Sequence, residues 1–348
     1  MSSSSSSSPA PASAPAPWLS VLIPVYNVEA YLVECVESVM AQADPGVEVL
    51  LLDDCSTDAS PARMHALAAR WPGRLQLLQH TRNRGLSAAR NTLIEAAHGD
   101  YLWFLDSDDK LLPGAIPALQ RIVGQQHPDM VVCDFAVWRE SPRLKHRLRG
   151  ERHRRSFAGP ARTLLTGPAR FLADLLRPGQ LHAWSKISRR ALWSADLRFP
   201  EGAYFEDMAT MPHLALRART VWYEPLPWVA YRQRGSSILS QMTPAKARDL
   251  SGALTTFRHA LQGTEWDAEP AVRFAVAHVA ARNFIGAAGH LARCRTQMPP
   301  AEWTTAMARC RDDFLQQSPL SPAQLERAYV TRGWWLRGLK FHRHFSLR

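Results

Sequence analysis

The sequence predicts an α/β fold in which an open, mostly parallel sheet is flanked by helices and followed by a C-terminal helical extension. Two observations lead to this prediction. Short, almost continuously apolar runs alternate with amphipathic segments up to about residue 133, and the pattern beyond about residue 240 is helical. Parallel strands have such apolar runs because helical crossovers cover both faces of their sheet.

The predicted elements follow one another in order along the first third of the chain. The apolar runs predict strands at residues 19–26, 47–53, 75–78, 101–105 and 130–133, and the segments between them predict helices at 29–42, 60–71, 87–97 and 114–126. The helical segments repeat their apolar residues every three or four positions, whereas the strands are too short for helices. In such a sheet, ligands bind beyond the carboxyl ends of the strands.

The rest of the chain divides by composition. The first 17 residues are Ser, Ala and Pro, which predicts a disordered leader without the basic start and apolar core of a secretory signal. An arginine-rich segment at 143–155, within 139–162, predicts a solvated loop whose role the motifs do not explain. Long helices are predicted at 245–262 and 270–294. The predicted domains are a leader at 1–17, an α/β domain at 18–240 and a helical region with a basic aromatic tail at 241–348.

Charge and cysteine content limit the classes of protein to consider. The net charge is +11, but residues 18–130 hold 14 acidic and 8 basic side chains, whereas residues 131–348 hold 17 and 34. No apolar run approaches the ~20 residues that span a bilayer. The five cysteines are an odd number and form no CxxC pair, which argues against a disulfide framework or a zinc knuckle and favours a reducing cytosol.

Acidic residues cluster where two of the predicted strands end. Asp53 and Asp54 close the second strand, and Asp106, Asp108 and Asp109 follow the fourth. The two clusters should face one crevice, where closely packed carboxylates repel one another unless a cation neutralises them. Oxygen ligands without His or Cys favour a hard ion, Mg²⁺ or Mn²⁺.

Four ordered motifs resemble the family 2 glycosyltransferases of the GT-A fold. The motifs are VLIPVYN at 21–27, DDCSTD at 53–58, NRGLSAARN at 83–91 and GDYLWFLDSDD at 99–109. The resemblance continues more weakly through WSK at 184–186 and EGAYFED at 201–207, so it covers roughly residues 18–235.

The resemblance implies inverting transfer from a nucleotide-sugar, usually a UDP-sugar, with a divalent metal, Mn²⁺ or Mg²⁺, held by an Asp-x-Asp motif. Matched by position, the metal residues are Asp108 and Asp106, the donor-binding residues are Pro24, Tyr26, Asp54, Arg90 and Asp106, and the catalytic residues are Asp207 as base and Glu206 beside it. A base is needed because an acceptor hydroxyl is a poor nucleophile. The metal would stabilise the leaving diphosphate.

Several of these residues have a second interpretation. Glu206 and Asp207 could complement a helix dipole, Asp54 or Arg90 could form a cap or an ion pair, and Tyr26 could pack on the sheet. Arg232 and Arg234 contact the donor diphosphate or are ordinary loop cations. Trp184 and Lys186 match acceptor-side positions in similar enzymes, or they are core and surface residues.

The basic aromatic tail, residues 331–348, has two interpretations. On a helical wheel Trp334, Trp335, Leu339, Phe341 and Phe345 gather on one side and the cations on the other, and Leu336 breaks the division. Such a helix either lies at an anionic membrane surface as a peripheral contact or docks on the core through its aromatic side chains.

The leading prediction is a cytoplasmic enzyme, peripheral at the inner face of the cytoplasmic membrane, that extends a bacterial surface glycan such as lipopolysaccharide or capsule. Its partners would be a nucleotide-sugar donor and a glycan or lipid-linked acceptor, with no nucleic acid expected. One alternative is a sugar nucleotidyltransferase, although residues 24–27 replace the glycine-rich basic loop of that class. The other is a non-enzymatic nucleic-acid-binding protein, suggested by the basic half.

Overall fold

The computed structural model describes residues 16–139, 141, 144–194, 196–233 and 242–347. Nine strands of the described chain form one sheet. They are β1 Leu19–Val25, β2 Val47–Asp53, β3 Leu75–Gln79, β4 Tyr101–Phe104, β5 Lys110–Leu111, β6 Met130–Trp138, β7 Leu164–Thr166, β8 Lys186–Arg189 and β9 Thr220–Arg232. The leader up to residue 15 and Arg234 lie outside the described residues.

The strand order is β3-β2-β1-β4-β8-β6-β9-β5, with β7 paired to β9. The pairs β1 with β2, β1 with β4, β2 with β3 and β6 with β9 are parallel, whereas β4 with β8, β6 with β8, β5 with β9 and β7 with β9 are antiparallel. The α/β fold is therefore confirmed, and its sheet is mixed. The antiparallel pairs come from strands that the sequence pattern does not predict.

Helices cover both faces of the sheet. They are α1 Leu32–Met40, α2 Ser60–Arg70, α3 Leu86–Ala96, α4 Ala115–Gln126, α5 Leu144–Leu148, α6 Pro168–Leu176, α7 Glu206–Arg217, α8 Pro244–Gly252, α9 Thr255–Leu261, α10 Pro270–Arg293, α11 Pro300–Gln317, α12 Pro322–Thr331 and α13 Trp335–Phe345. No helix of the described chain is both long enough and apolar enough to cross a membrane.

The buried apolar residues form two clusters, one on each face of the sheet. Alternate residues of a strand point to opposite faces, so Leu22 and Leu102 join one cluster while Val21 and Trp103 join the other. The second cluster packs against α1, α2 and α4. The first packs against α3, α6 and α7 and continues without a break through α8 to α13. The domain boundary near residue 240 stays a prediction.

Two predicted segments differ from the structure. The helix expected at 245–262 is two helices, α8 and α9, because the chain turns at Ala253 and Leu254. The arginine-rich segment is not wholly solvated: Glu151 and Phe157 are buried, and Phe135 forms a β-bridge with Arg154. Buried residues such as Phe157 and Glu151 thus hold the segment 139–162 against the sheet.

Candidate active site

The candidate site lies at the carboxyl ends of β1, β2 and β4. Val25 pairs with Asp53 at the end of β1 and β2, and the Leu105 N–H donates to Leu22 O just beyond β4. The acidic clusters after β2 and β4 therefore share one edge of the sheet, as the alternation of strands and helices predicts.

Arg90, on α3, lies at the centre of this edge and is only 1% exposed. Its Nη2 donates to Asp106 Oδ1 at 2.9 Å, and its Nη1 donates to Glu206 Oε1 at 2.8 Å and to Asp207 Oδ1 at 2.7 Å. Burial alone would lower the pKa of Arg90, but Asp207, Asp106 and Glu206 together raise it above its usual range. One guanidinium thus joins the Asp-x-Asp loop to the predicted catalytic carboxylates.

Asp207 is fixed through both carboxylate oxygens. Its Oδ1 accepts from Arg90, and its Oδ2 accepts from the Ala183 backbone N–H at 3.0 Å. Glu206 beside it is also largely buried, and that burial, with the charge of Asp207, raises the pKa of Glu206 to about 7. Two adjacent carboxyl groups at the start of α7 therefore contact the same guanidinium, that of Arg90.

The Asp106–Asp109 loop is backed by Arg232. The Arg232 N–H donates to Asp109 Oδ1 at 2.7 Å, and its Nε donates to Asp108 O at 2.8 Å. Its Nη2 donates to Glu34 Oε2 at 2.7 Å, and its guanidinium lies 3.7 Å from the ring centroid of Trp138. Arg232 is thus buried behind the loop, where it fixes the loop backbone. Its contact with a donor diphosphate stays a prediction.

The loop's chemistry fits a hard divalent cation. Burial, followed by the charges of Asp106 and Asp108, raises the pKa of Asp109 well above its usual range, and Asp109 Oδ2 is buried without a hydrogen-bond partner. Within the described ranges, no three His, Cys, Asp or Glu side chains converge to hold a metal by themselves. A cation at Asp106 and Asp108 would therefore need further oxygen ligands, such as those of a diphosphate.

Asp54 holds a loop rather than facing the crevice freely. Its Oδ1 lies 2.6 Å from His80 Nδ1 and accepts from the Arg84 N–H, while its Oδ2 accepts from the Gly85 N–H at 2.7 Å. Gly85 has φ of +85°, a conformation that favours glycine. Asp54 thus shapes the loop that leads into α3 and Arg90. Its contact with a nucleotide base or ribose stays a prediction.

Pro24 and Tyr26 differ in exposure. Pro24 is buried within β1, in register with Leu52, whereas the Tyr26 side chain is 47% exposed immediately beyond the strand. Tyr26 therefore does not pack into the sheet and is available to a ligand at the edge. Both assignments to the base pocket stay predictions.

Trp184 and Lys186 are interior residues, each only 1% exposed. The Trp184 ring stacks on His182, with centroids 4.6 Å apart, and on Tyr231 at 5.6 Å. Lys186 Nζ donates to Gln180 O and His182 O, and burial lowers the pKa of Lys186 to about 7. Direct contact with an acceptor stays a prediction. What the structure adds is that Lys186 fixes the turn whose Ala183 N–H reaches Asp207.

Sequence reasoning missed two residues of this site, His182 and Glu34, and it missed the burial of a third, Asp109. His182 lies against Trp184, and burial lowers its pKa to about 3, so it is neutral at physiological pH. Glu34 pairs with Arg232 and Lys110 from distant α1. The motifs include Asp109 but give no reason to expect its burial. No spacing in the sequence distinguishes His182 or Glu34, because their partners come from other elements.

Comparisons with known proteins show which family and which fold this chain resembles. The family model "Glycosyl transferase family 2" matches residues 20–174. The putative glycosyltransferase EpsH of Bacillus subtilis (strain 168) is 31% identical over 231 residues, which are 65% of this chain and 63% of EpsH. The chain thus spans less than two thirds of the length of that relative.

Solved structures share the fold. The S. aureus TarS 1–349 structure in complex with UDP-GlcNAc superposes with a TM-score of 0.68 at 20% identity, covering 95% of this chain and 93% of that one. The mannosyltransferase PcManGT from Pyrobaculum calidifontis, in complex with GDP-Man and Mn²⁺, has a TM-score of 0.52 at 18% identity and covers 94% and 86%. Residues 20–174 thus match the model of glycosyltransferase family 2, in agreement with the motifs, and the solved structures show a shared fold.

Proposed function

We propose that this chain is an inverting glycosyltransferase that moves a sugar from a UDP-sugar to a hydroxyl of a glycan or lipid-linked acceptor. The observation that carries the proposal is the Arg90 cluster, in which one buried guanidinium contacts Asp106, Glu206 and Asp207. It joins the residues expected to face the donor to those expected to activate the acceptor. The UDP-GlcNAc complex of TarS supports a UDP-sugar donor.

Asp207 acts as the general base in this proposal. Arg90 and the Ala183 N–H hold its carboxylate in one orientation. It takes the proton of the acceptor hydroxyl as that oxygen attacks the anomeric carbon. The bond from that carbon to the diphosphate oxygen breaks on the opposite face, so the anomeric configuration inverts. A single displacement needs no covalent enzyme intermediate.

Asp106 and Asp108 would hold the divalent cation, Mn²⁺ or Mg²⁺. When bound, the cation supplies Lewis-acid stabilisation of the negative charge that develops on the leaving diphosphate. The Mn²⁺ complex of PcManGT supports this assignment. Arg232 holds the loop in place through hydrogen bonds to Asp108 O and to the Asp109 carboxylate. The side chains of Asp106 and Asp108 are therefore attached to a fixed backbone.

The proposed acceptor belongs to the bacterial cell envelope. A glycan or lipid-linked acceptor of the bacterial cell envelope suits the family resemblance and the basic second half of the chain. No observation on the structure favours a sugar nucleotidyltransferase or a nucleic-acid-binding protein over this function. The two enzymatic classes differ in product, because transfer releases a nucleoside diphosphate and nucleotidyl transfer releases pyrophosphate.

The test begins with the donor. Thermal shifts are measured with UDP, GDP, CMP, dTDP and their common sugar conjugates, each with and without Mn²⁺. We expect a stabilisation that depends on Mn²⁺ with UDP and a UDP-sugar. If only another nucleotide stabilises the protein, that nucleotide and not UDP defines the donor class. If the protein releases pyrophosphate in a reaction assay, its activity is nucleotidyl transfer and not sugar transfer.

The variant Asp207→Asn then tests the base. The amide cannot take the acceptor proton, so turnover should fall by about 10²-fold or more, while the UDP-dependent thermal shift stays near that of the parent. The control is Asp312→Asn, because Asp312 is exposed on α11. It should leave both readouts unchanged. Retained turnover in Asp207→Asn would remove Asp207 from the base role.

A further inference from the structure

Four apolar side chains lie exposed where α12 turns into α13. Val330 is 60% exposed, Trp335 69%, Leu336 83% and Leu339 67%. The Trp335 Nε1–H donates to Val330 O at 3.3 Å, so the indole lies beside the end of α12. We call these four residues the tail patch. A concentration of large, exposed apolar side chains marks an interaction surface.

The tail patch is not needed to hold α13 on the protein. Phe341 is fully buried, with its ring centroid 5.0 Å from that of Phe314 and 5.9 Å from that of Phe284. Trp334, just before the helix, packs against Phe274 and His278. The structure therefore divides the apolar residues of the tail into a set that docks on the core and a set that faces outward.

Leu336 illustrates this division. On the helical wheel it stands apart from the aromatic residues, and in the structure it is the most exposed member of the tail patch. Gly333, with φ of +69°, ends α12 and allows the Trp334 N–H to donate to Tyr329 O at 2.8 Å. This turn sets Trp334 inward and leaves Trp335 and Leu336 outward.

The segment that bears the tail patch is rich in cations, and no acidic residue interrupts them along the sequence. Residues 327–347 contain no Asp or Glu, and their Lys and Arg residues are Arg327, Arg332, Arg337, Lys340 and Arg343. All five are exposed. Glu326, just before this stretch, is paired with His342. The segment thus combines five exposed cations and no acidic residue of its own with exposed Trp, Leu and Val side chains.

We infer that the tail patch docks on the surface of an anionic phospholipid bilayer. Trp335, Leu336 and Leu339 would insert at the level of the headgroups while the cations contact lipid phosphates. An acidic polysaccharide or a nucleic acid would satisfy the cations but would not bury the leucines. A second copy bound through the same patch would bring five cations against five, which opposes association.

Vesicle flotation of the full chain tests the inference. We expect the parent to float with vesicles that contain phosphatidylglycerol and to stay unbound with phosphatidylcholine vesicles. The triple variant Trp335→Ser/Leu336→Ser/Leu339→Ser should lose about tenfold or more of the bound-to-free ratio, and Lys340→Gln/Arg343→Gln should lose a similar factor. Both variants change exposed side chains, so we expect their thermal midpoints to match that of the parent.

Two matched controls distinguish binding through the tail patch from non-specific adsorption to vesicles. Leu226→Ser/Leu315→Ser removes apolar side chains that are about half exposed elsewhere, and Arg63→Gln/Arg121→Gln removes two exposed cations from the first half of the chain. Both controls should float as the parent does. Absent flotation of the parent, or equal flotation of the triple variant, overturns the inference.

Two other partners are outcomes of the same experiment. Retention on heparin without flotation would assign the surface to a soluble polyanion, and a dimer that the triple variant abolishes, again without flotation, would assign it to a second copy. Either result overturns the inference. No donor or acceptor is added, so failure of vesicle binding leaves the proposed sugar transfer untouched, and failure of transfer leaves vesicle binding untouched.

Discussion

At the scale of single residues, Arg90 is the central contact of the candidate site. Its guanidinium joins Asp106, on the proposed donor side, to Glu206 and Asp207, on the proposed acceptor side. A planar fork with several N–H donors can serve three carboxylates from a buried position, which a single ammonium group cannot do with the same geometry. The site therefore depends on the identity of this side chain as well as on its charge.

The variant Arg90→Lys tests this dependence. It keeps the positive charge but leaves at least one of Asp106, Glu206 and Asp207 without a buried partner, which should cost about 2–4 kcal/mol of unfolding free energy. Turnover should fall by about 10²-fold or more because Asp207 loses its orientation. Denaturant unfolding and an assay of released nucleoside diphosphate measure the two effects.

The matched control is Arg84→Lys, since Arg84 forms an exposed ion pair with Glu201. Surface pairs contribute little, so this change should stay within about 0.5 kcal/mol of the parent. If Arg90→Lys matched Arg84→Lys in both stability and turnover, Arg90 would have no special role in the site.

The sequence could predict which residues meet at the site but not what surrounds them. Asp106 and Arg90 lie in the four ordered motifs, and Asp207 lies in the weaker match at 201–207. The burial of Trp184 and Lys186 could not be predicted in this way. Their partners, His182 and Tyr231 among them, come from different elements whose packing the motifs do not encode.

At the scale of elements, α10 joins the tail to the rest of the protein, and His278 is a titratable residue in that contact. Its Nδ1 lies 2.9 Å from the Tyr329 hydroxyl and its Nε2 lies 3.4 Å from Arg337 Nη1. Burial, followed by the charges of Arg282 and Arg337, lowers the pKa of His278 to about 3. The packing of α10 against α12 and α13 therefore requires a neutral imidazole.

This requirement makes the contact sensitive to acid. The unfolded chain takes up a proton at His278 near its ordinary pKa of 6.5, whereas the folded chain does so only near pH 3. Stability from this residue is thus present above pH 6.5 and falls as the pH drops below it. Between pH 6.5 and 5.5, urea unfolding of the parent should lose about 1 kcal/mol more than that of His278→Gln.

His65→Gln is the control, because His65 is exposed on α2. It should follow the pH dependence of the parent. If His278→Gln also follows the parent, the tail contact does not depend on the neutral form of this histidine.

The predicted secondary structure agrees with the structure in the first 133 residues, where most boundaries differ by one or two positions. Buried parallel strands and their crossover helices have strong local patterns, which explains this agreement. The strands β5, β7 and β8 have two to four residues each and pair antiparallel with distant segments. Such short strands have no pattern of their own, so only the folded chain shows them.

At the scale of the whole molecule, one apolar core extends from the sheet into the C-terminal helices. Leu22 on β1 and Phe341 on α13 belong to the same buried cluster, which passes through α6, α7 and α10. Helices that share a core with a sheet have no separate stability of their own. The two predicted domains should therefore behave as one unit in solution.

Calorimetry tests this unity. The full chain should unfold in a single transition whose calorimetric and van't Hoff enthalpies agree. Phe341→Ala removes a fully buried ring at the far end of the core and should lower the midpoint of that one transition, at a cost of about 3–5 kcal/mol. A separate, earlier transition in the variant or in the parent would instead show that the C-terminal helices unfold independently.

The burial of Phe341 also affects how far from a membrane the proposed sugar transfer could take place. Because the buried Phe341 ring packs α13 against the core, the position of α13 relative to the core is fixed, unlike that of an anchor on a flexible linker. With the tail patch at a bilayer, the Arg90 cluster would stand at one fixed height above the lipid phosphates. This fixed height would select lipid-linked acceptors by the length of their glycan, because only a glycan whose terminal hydroxyl lies at that height would contact Asp207.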